Sequence, residues 1–134
     1  MEGAQRGASF NGIIEKAFGV IGDVHQFTKL AQWVNYNGYR AMFESGSKHR
    51  LGLLIWMSHP CWPSMTWQTY DYYLEPTAAY FGVKKACEPL HIQWNASTRK
   101  MEIVNLHKMV KDSLTAQCEV LDMWGKSIVN INSG

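Results

Sequence analysis

The sequence predicts an α+β chain in which helices around one buried strand are followed by antiparallel β structure. Apolar residues recur at helical spacing between residues 23 and 45, and an unbroken apolar run follows at 51–57. Beyond Pro89 the pattern changes to short alternating segments. The change of periodicity falls near residues 87–95, so the sequence predicts one region at 1–88 and a second at 89–134.

The long helix predicted in the first half has signals at both of its ends. Asp23 is followed three residues later by Gln26, as in a capping box. Gly46 and the basic residues at 48–50 suit the C-terminal end of a helix. The apolar positions between these ends are Phe27, Leu30, Ala31, Val34, Ala41 and Met42. Their spacing predicts one apolar face.

The apolar run from Leu51 to Met57 does not alternate with polar residues. Such a run is typical of a strand buried on both faces, as in a parallel sheet covered by helices. Pro63 then suits the first position of a short helix, and Pro76 suits the first position of another that runs to about Cys87. The predicted order is helix, buried parallel-type strand, helix.

Three alternating segments are predicted as antiparallel strands, namely Leu90 to Asn95, Met101 to Leu106 and Leu114 to Trp124. On the third segment, the residues Leu114, Ala116, Cys118 and Val120 share one face, and Thr115, Gln117 and Glu119 share the other. One face is therefore expected to pack and the other to face water, as in one sheet of a sandwich.

Charge and cysteine content exclude several function classes. Charged residues make up 18% of the chain and the formal net charge is +2, so no nucleic-acid partner is predicted. No segment reaches the ~18 apolar residues of a membrane span, and the N-terminus lacks a signal-peptide pattern, so no membrane partner and no targeting address are predicted. Cys61, Cys87 and Cys118 are expected to be buried thiols, and no cofactor or metal site is predicted.

An aromatic-rich segment follows the predicted strand, at the end where strand-helix units bind ligands. Trp56 ends the strand, and Ser58, His59, Trp62 and Trp67 follow it. Flat rings beside hydroxyl and imidazole groups suit a sugar, which has one C–H face for stacking and hydroxyls that need hydrogen bonds. These five residues are the candidate sugar-binding residues. The alternative is that the tryptophans pack in a core and that His59 is structural.

The same stretch resembles a known enzyme family. The sequence "GLLIWMSHPCWPSMTWQTYDYY", with "KLAQWVNYNGYRAMFES" before it and "AAYFGVKKACEPLHIQWN" after it, is similar to glycoside hydrolase family two, in its exo-β-glucosaminidase and β-mannosidase branch. The resemblance implies that residues 1–88 are the last helix, strand and helix of a (β/α)8, or TIM, barrel catalytic domain. It implies that residues 89–134 begin an immunoglobulin-like β-sandwich. The chain is then expected to be a fragment of a larger enzyme.

The resemblance implies a retaining, exo-acting glycoside hydrolase that cleaves β-linked glucosamine or mannose-type sugars, from a secreted or periplasmic parent. It puts Trp56, Ser58, His59 and Trp62 at the carboxyl end of the eighth strand, beside the sugar pocket. Relatives often carry Asn at the position of His59. Both catalytic carboxylates of the family lie upstream of Met1, so no catalytic residue is expected in this chain and the chain alone is expected to be inactive.

Two further expectations remain open at this point. The aromatic-rich segment is also compatible with a non-catalytic carbohydrate-binding module. In either case Glu44 lies within the long helix, and Asp71 and Glu75 are expected to have solvated or capping roles in a helical segment. A single barrel strand and a partial sandwich leave strand edges and apolar faces uncovered, so the isolated chain is expected to self-associate.

Overall fold

A computed structural model describes residues 3–45, 52–63, 68–95, 98–106 and 114–133 of the chain. The helices are α1 (Gly3–Phe18), α2 (Val24–Glu44) and α3 (Ala78–Ala86), and the strands are β1 (Leu90–Asn95), β2 (Lys100–Asn105), β3 (Ala116–Leu121) and β4 (Ser127–Ser133). The described residues therefore have the α+β organisation that the sequence predicts. The chain divides into two compact units, Met1–Cys87 and Glu88–Gly134.

The ends of the first two helices are set by local hydrogen bonds. The α1 helix stops at Gly19, whose φ of 81° is unfavourable for residues with a Cβ, and its N–H donates to the Glu15 carbonyl at 2.8 Å. At the start of α2, the Asp23 carboxylate accepts from the backbone N–H groups of His25 and Gln26, both at 3.1 Å. This contact confirms the predicted N-cap.

Helix α2 packs closely against α3 in the first unit. Gly82 of α3 is buried at the crossing, where an added Cβ would overlap the Tyr36 carbonyl oxygen and would lie 3.3 Å from the Arg40 amide nitrogen. Tyr39 is buried on α2, and this burial raises the pKa of its hydroxyl. Ala41 and Met42 were predicted to lie on the buried face of α2, but both are exposed. The buried face of α2 therefore includes Tyr39 and excludes these two residues.

A side chain of α2 also completes the start of α3. The first residue of α3, Ala78, donates its backbone N–H to the Gln32 side-chain oxygen at 2.8 Å. Thr77 is the N-cap residue but makes no capping hydrogen bond with its side chain. The helix therefore begins after Thr77 rather than at Pro76, and it ends near Cys87 as predicted.

Residues 52–57 do not form the predicted strand. None of the strand ladders in the described part of the chain includes this segment, and a β-strand requires a hydrogen-bonded neighbour. Leu54 is fully exposed, whereas Leu53, Ile55 and Met57 are half-buried, so burial on both faces is also absent. The Trp56–Met57 peptide bond is cis. The helix predicted after Pro63 falls on residues 64–67, which lie outside the described residues.

The second unit contains two antiparallel hairpins. Strand β1 pairs with β2 with Ile92 opposite Ile103, and β3 pairs with β4 with Val120 opposite Val129. The predicted strands are confirmed, and the predicted alternation on β3 holds as far as Cys118. Strand β4 was not predicted. It follows a tight turn at Gly125, whose φ is 81°.

The three cysteines are not the buried thiols that the sequence predicts. Cys61 and Cys87 are exposed, Cys118 is half-buried, and all three are free. Cys61 lies in a loop and Cys87 follows the last turn of α3, where neither is covered by neighbouring side chains. Within the described ranges, no helix is both long and apolar enough to cross a membrane. Self-association of the chain stays a prediction.

The close approach at Gly82 gives a first prediction, with Gly38 of α2 as its matched control. Replacement by Ala improves helix propensity at both positions, but an added Cβ meets backbone atoms at Gly82 and nothing within 4 Å at Gly38. We expect Gly82→Ala to be less stable than Gly38→Ala by about 1–3 kcal/mol in urea denaturation of the chain followed by circular dichroism. Equal stabilities would show that α3 can shift to accept the methyl group.

Candidate functional site

We call residues 56–70 the aromatic loop. This loop is closed at the backbone carbonyl of Ser58. Its oxygen accepts hydrogen bonds from the backbone N–H groups of Thr69 at 3.0 Å and Tyr70 at 2.9 Å. The Thr69 hydroxyl donates to the same oxygen at 2.9 Å. Thr69 is buried, with 6% of its surface exposed, whereas Ser58 is exposed, so these hydrogen bonds are partly shielded from water. The start and the end of the loop are thereby held together.

Thr77 attaches this closed loop to the helix pair. Its backbone N–H donates to the Thr69 carbonyl at 3.0 Å, and its hydroxyl lies 2.8 Å from the Gln68 carbonyl and 3.1 Å from that of Thr69. The Thr77 hydroxyl thus binds carbonyl groups of the loop and does not cap α3. Because Gln32 binds the next backbone N–H, at Ala78, the loop and both helices share one hydrogen-bonded junction.

The predicted site residues that the structure describes are all solvent-exposed. The Trp56 and Trp62 rings are 84% and 67% exposed, and neither stacks on another described ring. Neither ring is packed in a core of this chain. The Ser58 hydroxyl and the His59 Nδ1 atom lie 3.1 Å apart, so these two side chains form a pair. Trp67 lies outside the described residues.

A tight turn at residues 71–75 adjoins the loop and was not predicted as part of the site. The Asp71 Oδ1 atom accepts from the backbone N–H groups of Tyr73 at 2.8 Å and Glu75 at 2.9 Å. The segment around Asp71 was expected to be helical but forms a turn, and the Asp71 carboxylate caps backbone N–H groups of that turn rather than of a helix. The turn exposes the neighbouring rings of Tyr72 and Tyr73, which meet edge to face with centroids 5.3 Å apart.

The other acidic residues considered in the sequence have structural surroundings. Glu44 accepts a 2.6 Å hydrogen bond from the Arg40 guanidinium one turn earlier in α2. Glu75 is exposed at the end of the tight turn. Within the described ranges, no group of three or more His, Cys, Asp or Glu side chains is placed to hold a metal ion. The exposed aromatic loop remains the candidate ligand-binding feature among the described residues.

Comparison with known proteins gives consistent similarities. No family model matches the chain. The chain is 33% identical over 123 residues to an exo-β-D-glucosaminidase of Amycolatopsis orientalis, covering 87% of this chain and 12% of that protein. It is 32% identical over 107 residues to a mannosylglycoprotein endo-β-mannosidase of Lilium longiflorum, covering 77% of this chain and 11% of that protein.

A solved structure shows the same similarity in three dimensions. The exo-β-D-glucosaminidase CsxA of Amycolatopsis orientalis, studied for its inhibition by a glucosamine-configured castanospermine, superposes with a TM-score of 0.85 and 31% identity. The match covers 93% of this chain and 16% of CsxA. The chain spans about an eighth of the length of the curated relatives described above.

The closure at Ser58 gives a second prediction, with Thr28 as the control. Thr69→Val removes a buried hydroxyl bond to the Ser58 carbonyl and keeps the side-chain shape, so we expect a loss of about 1 kcal/mol in the free energy of unfolding. Thr28→Val removes an exposed hydroxyl bond to the Val24 carbonyl within α2 and should change stability by less than about 0.5 kcal/mol. Chemical denaturation of both variants measures the difference. Equal effects would contradict the role of Thr69 in closing the loop.

Proposed function

The chain belongs to the exo-β-D-glucosaminidase and β-mannosidase branch of glycoside hydrolase family two, and we propose that it supplies one aromatic wall of the sugar pocket in a retaining, exo-acting glycoside hydrolase. The substrates proposed are β-linked glucosamine or mannose-type sugars. The observation that carries the proposal is the exposure of Trp56 and Trp62 on a loop that buried hydrogen bonds hold in place.

The proposed setting is the end of a (β/α)8 barrel for residues 1–88 and the beginning of an immunoglobulin-like sandwich for residues 89–134. The first assignment proposes that residues 52–57, which form no strand in the described chain, pair in the full-length protein with strands from elsewhere in the barrel. The complete exposure of Leu54 suits a residue that other parts of a larger protein cover. The two antiparallel hairpins of the second unit are compatible with part of a sandwich.

Each proposed site residue has a distinct part in binding. The rings of Trp56 and Trp62 offer flat surfaces for the C–H face of a sugar. If the Ser58 hydroxyl donates to Nδ1 of His59, the neutral imidazole carries its proton on Nε2 and can donate to a sugar hydroxyl. Trp67 is proposed as a further aromatic contact. Together these groups orient the sugar and displace water from one side of it.

The cleavage itself is proposed to depend on carboxyl groups outside this chain. A retaining glycosidase uses one carboxylic acid to protonate the leaving oxygen and one carboxylate to attack the anomeric carbon, with the two groups ~5–5.5 Å apart. The carboxylates of the described loop region are used differently, since Asp71 binds two backbone N–H groups of its own turn. The part proposed for this chain is therefore to orient the substrate.

A third prediction tests the aromatic wall in the full-length protein that carries this segment. Loss of the apolar contact made by a large ring corresponds to about 1.5–3 kcal/mol, so Trp56→Ala or Trp62→Ala should lower kcat/KM by about 10- to 100-fold on an aryl β-glucosaminide or β-mannoside. Under the proposal both rings face the sugar pocket of the full-length protein rather than its core, so thermal unfolding should be nearly unchanged.

Trp124 is the matched control for the aromatic wall, since it is 84% exposed like Trp56 but lies in the turn between β3 and β4. Trp124→Ala should leave kcat/KM unchanged. If all three variants retained full activity, or if Trp56→Ala unfolded the protein, the wall assignment would be wrong. Saturable binding of oligosaccharides to a full-length protein that cleaves none of them would instead identify a binding module.

A fourth prediction concerns His59. Asn retains a hydrogen-bond donor and acceptor near the same place, so His59→Asn should keep kcat/KM within about threefold of the parent value. His59→Leu removes both the hydrogen-bond donor and the acceptor. This variant should lower kcat/KM by about tenfold or more, since a sugar hydroxyl would lose its hydrogen-bond partner. Hydrolysis assays on the full-length protein measure both variants. A large loss with Asn would show that the imidazole itself is required.

A further inference from the structure

We infer that the tight turn at residues 71–75 extends the aromatic wall, and that Tyr73 contacts the part of a saccharide that protrudes from the pocket. This inference rests on the proposed function and adds to it a second contact region, beyond the sugar that is cleaved off. It assigns a binding role to Tyr73 and a positioning role to Asp71.

The turn is tied directly to the proposed sugar-binding residues. The Tyr70 N–H donates to the carbonyl of Ser58, and Tyr70 forms an antiparallel bridge with Pro76 that closes the base of the turn. Tyr73 follows Tyr70 by three residues, which limits the separation of their Cα atoms to about 10 Å. Tyr73 therefore lies within a short distance of the loop that carries Trp56 and His59.

The turn is also internally fixed. In addition to the two bonds to the Asp71 carboxylate, the Asp71 N–H donates to the Glu75 carbonyl at 2.9 Å, and the Leu74 N–H donates to the Asp71 carbonyl at 3.1 Å. Leu74 has a φ of 65°, in the left-handed region that a leucine rarely adopts. The backbone is thus held in one shape, and the position of the Tyr73 ring depends on Asp71.

The side chains at the tip of this turn are not explained by packing within the chain. Turns usually carry Gly, Asn, Asp, Ser or Pro, but here Tyr73 and Leu74 occupy the tip and are 74% and 68% exposed. A fixed backbone that presents an exposed ring lowers the entropic cost of binding. Tyrosine also combines a flat apolar ring with a hydroxyl, which are the two features that a sugar unit can use.

The position of Tyr73 outside the aromatic loop predicts which part of the substrate this residue contacts. An exo-acting enzyme encloses the terminal sugar, and the remainder of the saccharide extends outward from the pocket. A residue near the pocket but not in it affects long substrates and leaves short ones unchanged. Tyr73 is therefore assigned to sugar units on the leaving-group side of the cleaved bond.

The test compares Tyr73→Ala with the parent in the full-length protein, using two substrates of the same sugar. One is a β-glycosyl fluoride, whose leaving group is too small to reach Tyr73, and the other is an oligosaccharide of four units. We expect kcat/KM to fall by roughly tenfold on the oligosaccharide and by less than about twofold on the fluoride. Tyr73→Phe, which keeps the ring, should retain most of the activity on both substrates.

The positioning role of Asp71 has its own pair of variants. Asp71→Ala removes the acceptor for the N–H groups of Tyr73 and Glu75 and should reproduce the loss on the oligosaccharide with little effect on the fluoride. Asp71→Asn keeps an acceptor oxygen at the same place and should restore activity on the oligosaccharide.

The outcomes separate this inference from the proposed function. Unchanged activity of Tyr73→Ala on both substrates, with a loss in Trp56→Ala on both, would overturn the role of Tyr73 and leave the aromatic wall in place. Equal losses of Tyr73→Ala on the two substrates, or a lowered Tm, would show a structural role and also overturn the inference. Full activity of Tyr73→Ala and of Trp56→Ala on both substrates would overturn the proposed function together with the inference.

Discussion

The carbonyl oxygen of Ser58 is the single atom on which the local structure around the candidate site depends. Three donors converge on it, two from the backbone and one from the Thr69 hydroxyl. A loop that carries large exposed rings gains little from apolar burial, so its shape must come from hydrogen bonds that water cannot easily replace. The burial of Thr69 and Gln68 provides that protection. The buried polar groups therefore fix the backbone of the loop that carries the exposed rings.

The helix pair supplies the rigid support for this arrangement. The close approach at Gly82 brings the backbones of α2 and α3 together, and Gln32 and Thr77 then link the helices to the loop through side chains. The two contacts are adjacent in the chain, because Thr77 binds the loop and the next residue, Ala78, donates its backbone N–H to Gln32. Displacement of α3 would consequently move the loop as well.

The sequence predicts the features that depend on neighbours along the chain. The N-cap at Asp23, the strands β1 to β3 and the boundary between helical and β regions all follow from periodicity and capping residues. The β4 strand was missed although Val129 and Ile131 alternate with Asn130 and Asn132, because the third predicted segment ended at Trp124 and no strand was assigned beyond it. The strand at 52–57 was predicted wrongly because an apolar run does not specify its hydrogen-bonded neighbours.

In the candidate site, too, the sequence predicts features that depend on neighbouring residues and misses those that depend on distant contacts. An aromatic-rich stretch after an apolar run identifies Trp56 and Trp62 as candidates from sequence alone. The hydrogen bonds to Ser58 join residues 11 and 12 positions apart, and no periodic pattern predicts such contacts. The Asp71 turn is local, but the sequence near it is dominated by tyrosines rather than by the small residues that usually mark a turn.

The use of Gln32 to complete α3 has a consequence for the stability of this helix and of the loop. A nine-residue helix is too short to persist in water by itself, and the hydroxyl of its own N-cap residue is bound elsewhere. Its first backbone N–H is bound instead by an amide oxygen of α2 from 46 residues earlier, so the stability of α3 depends on α2. The loop is attached to the helix pair through Thr77, so the loop and α3 are expected to stabilise each other. The shape of the proposed ligand-binding surface therefore depends on contacts with a helix far away in the sequence.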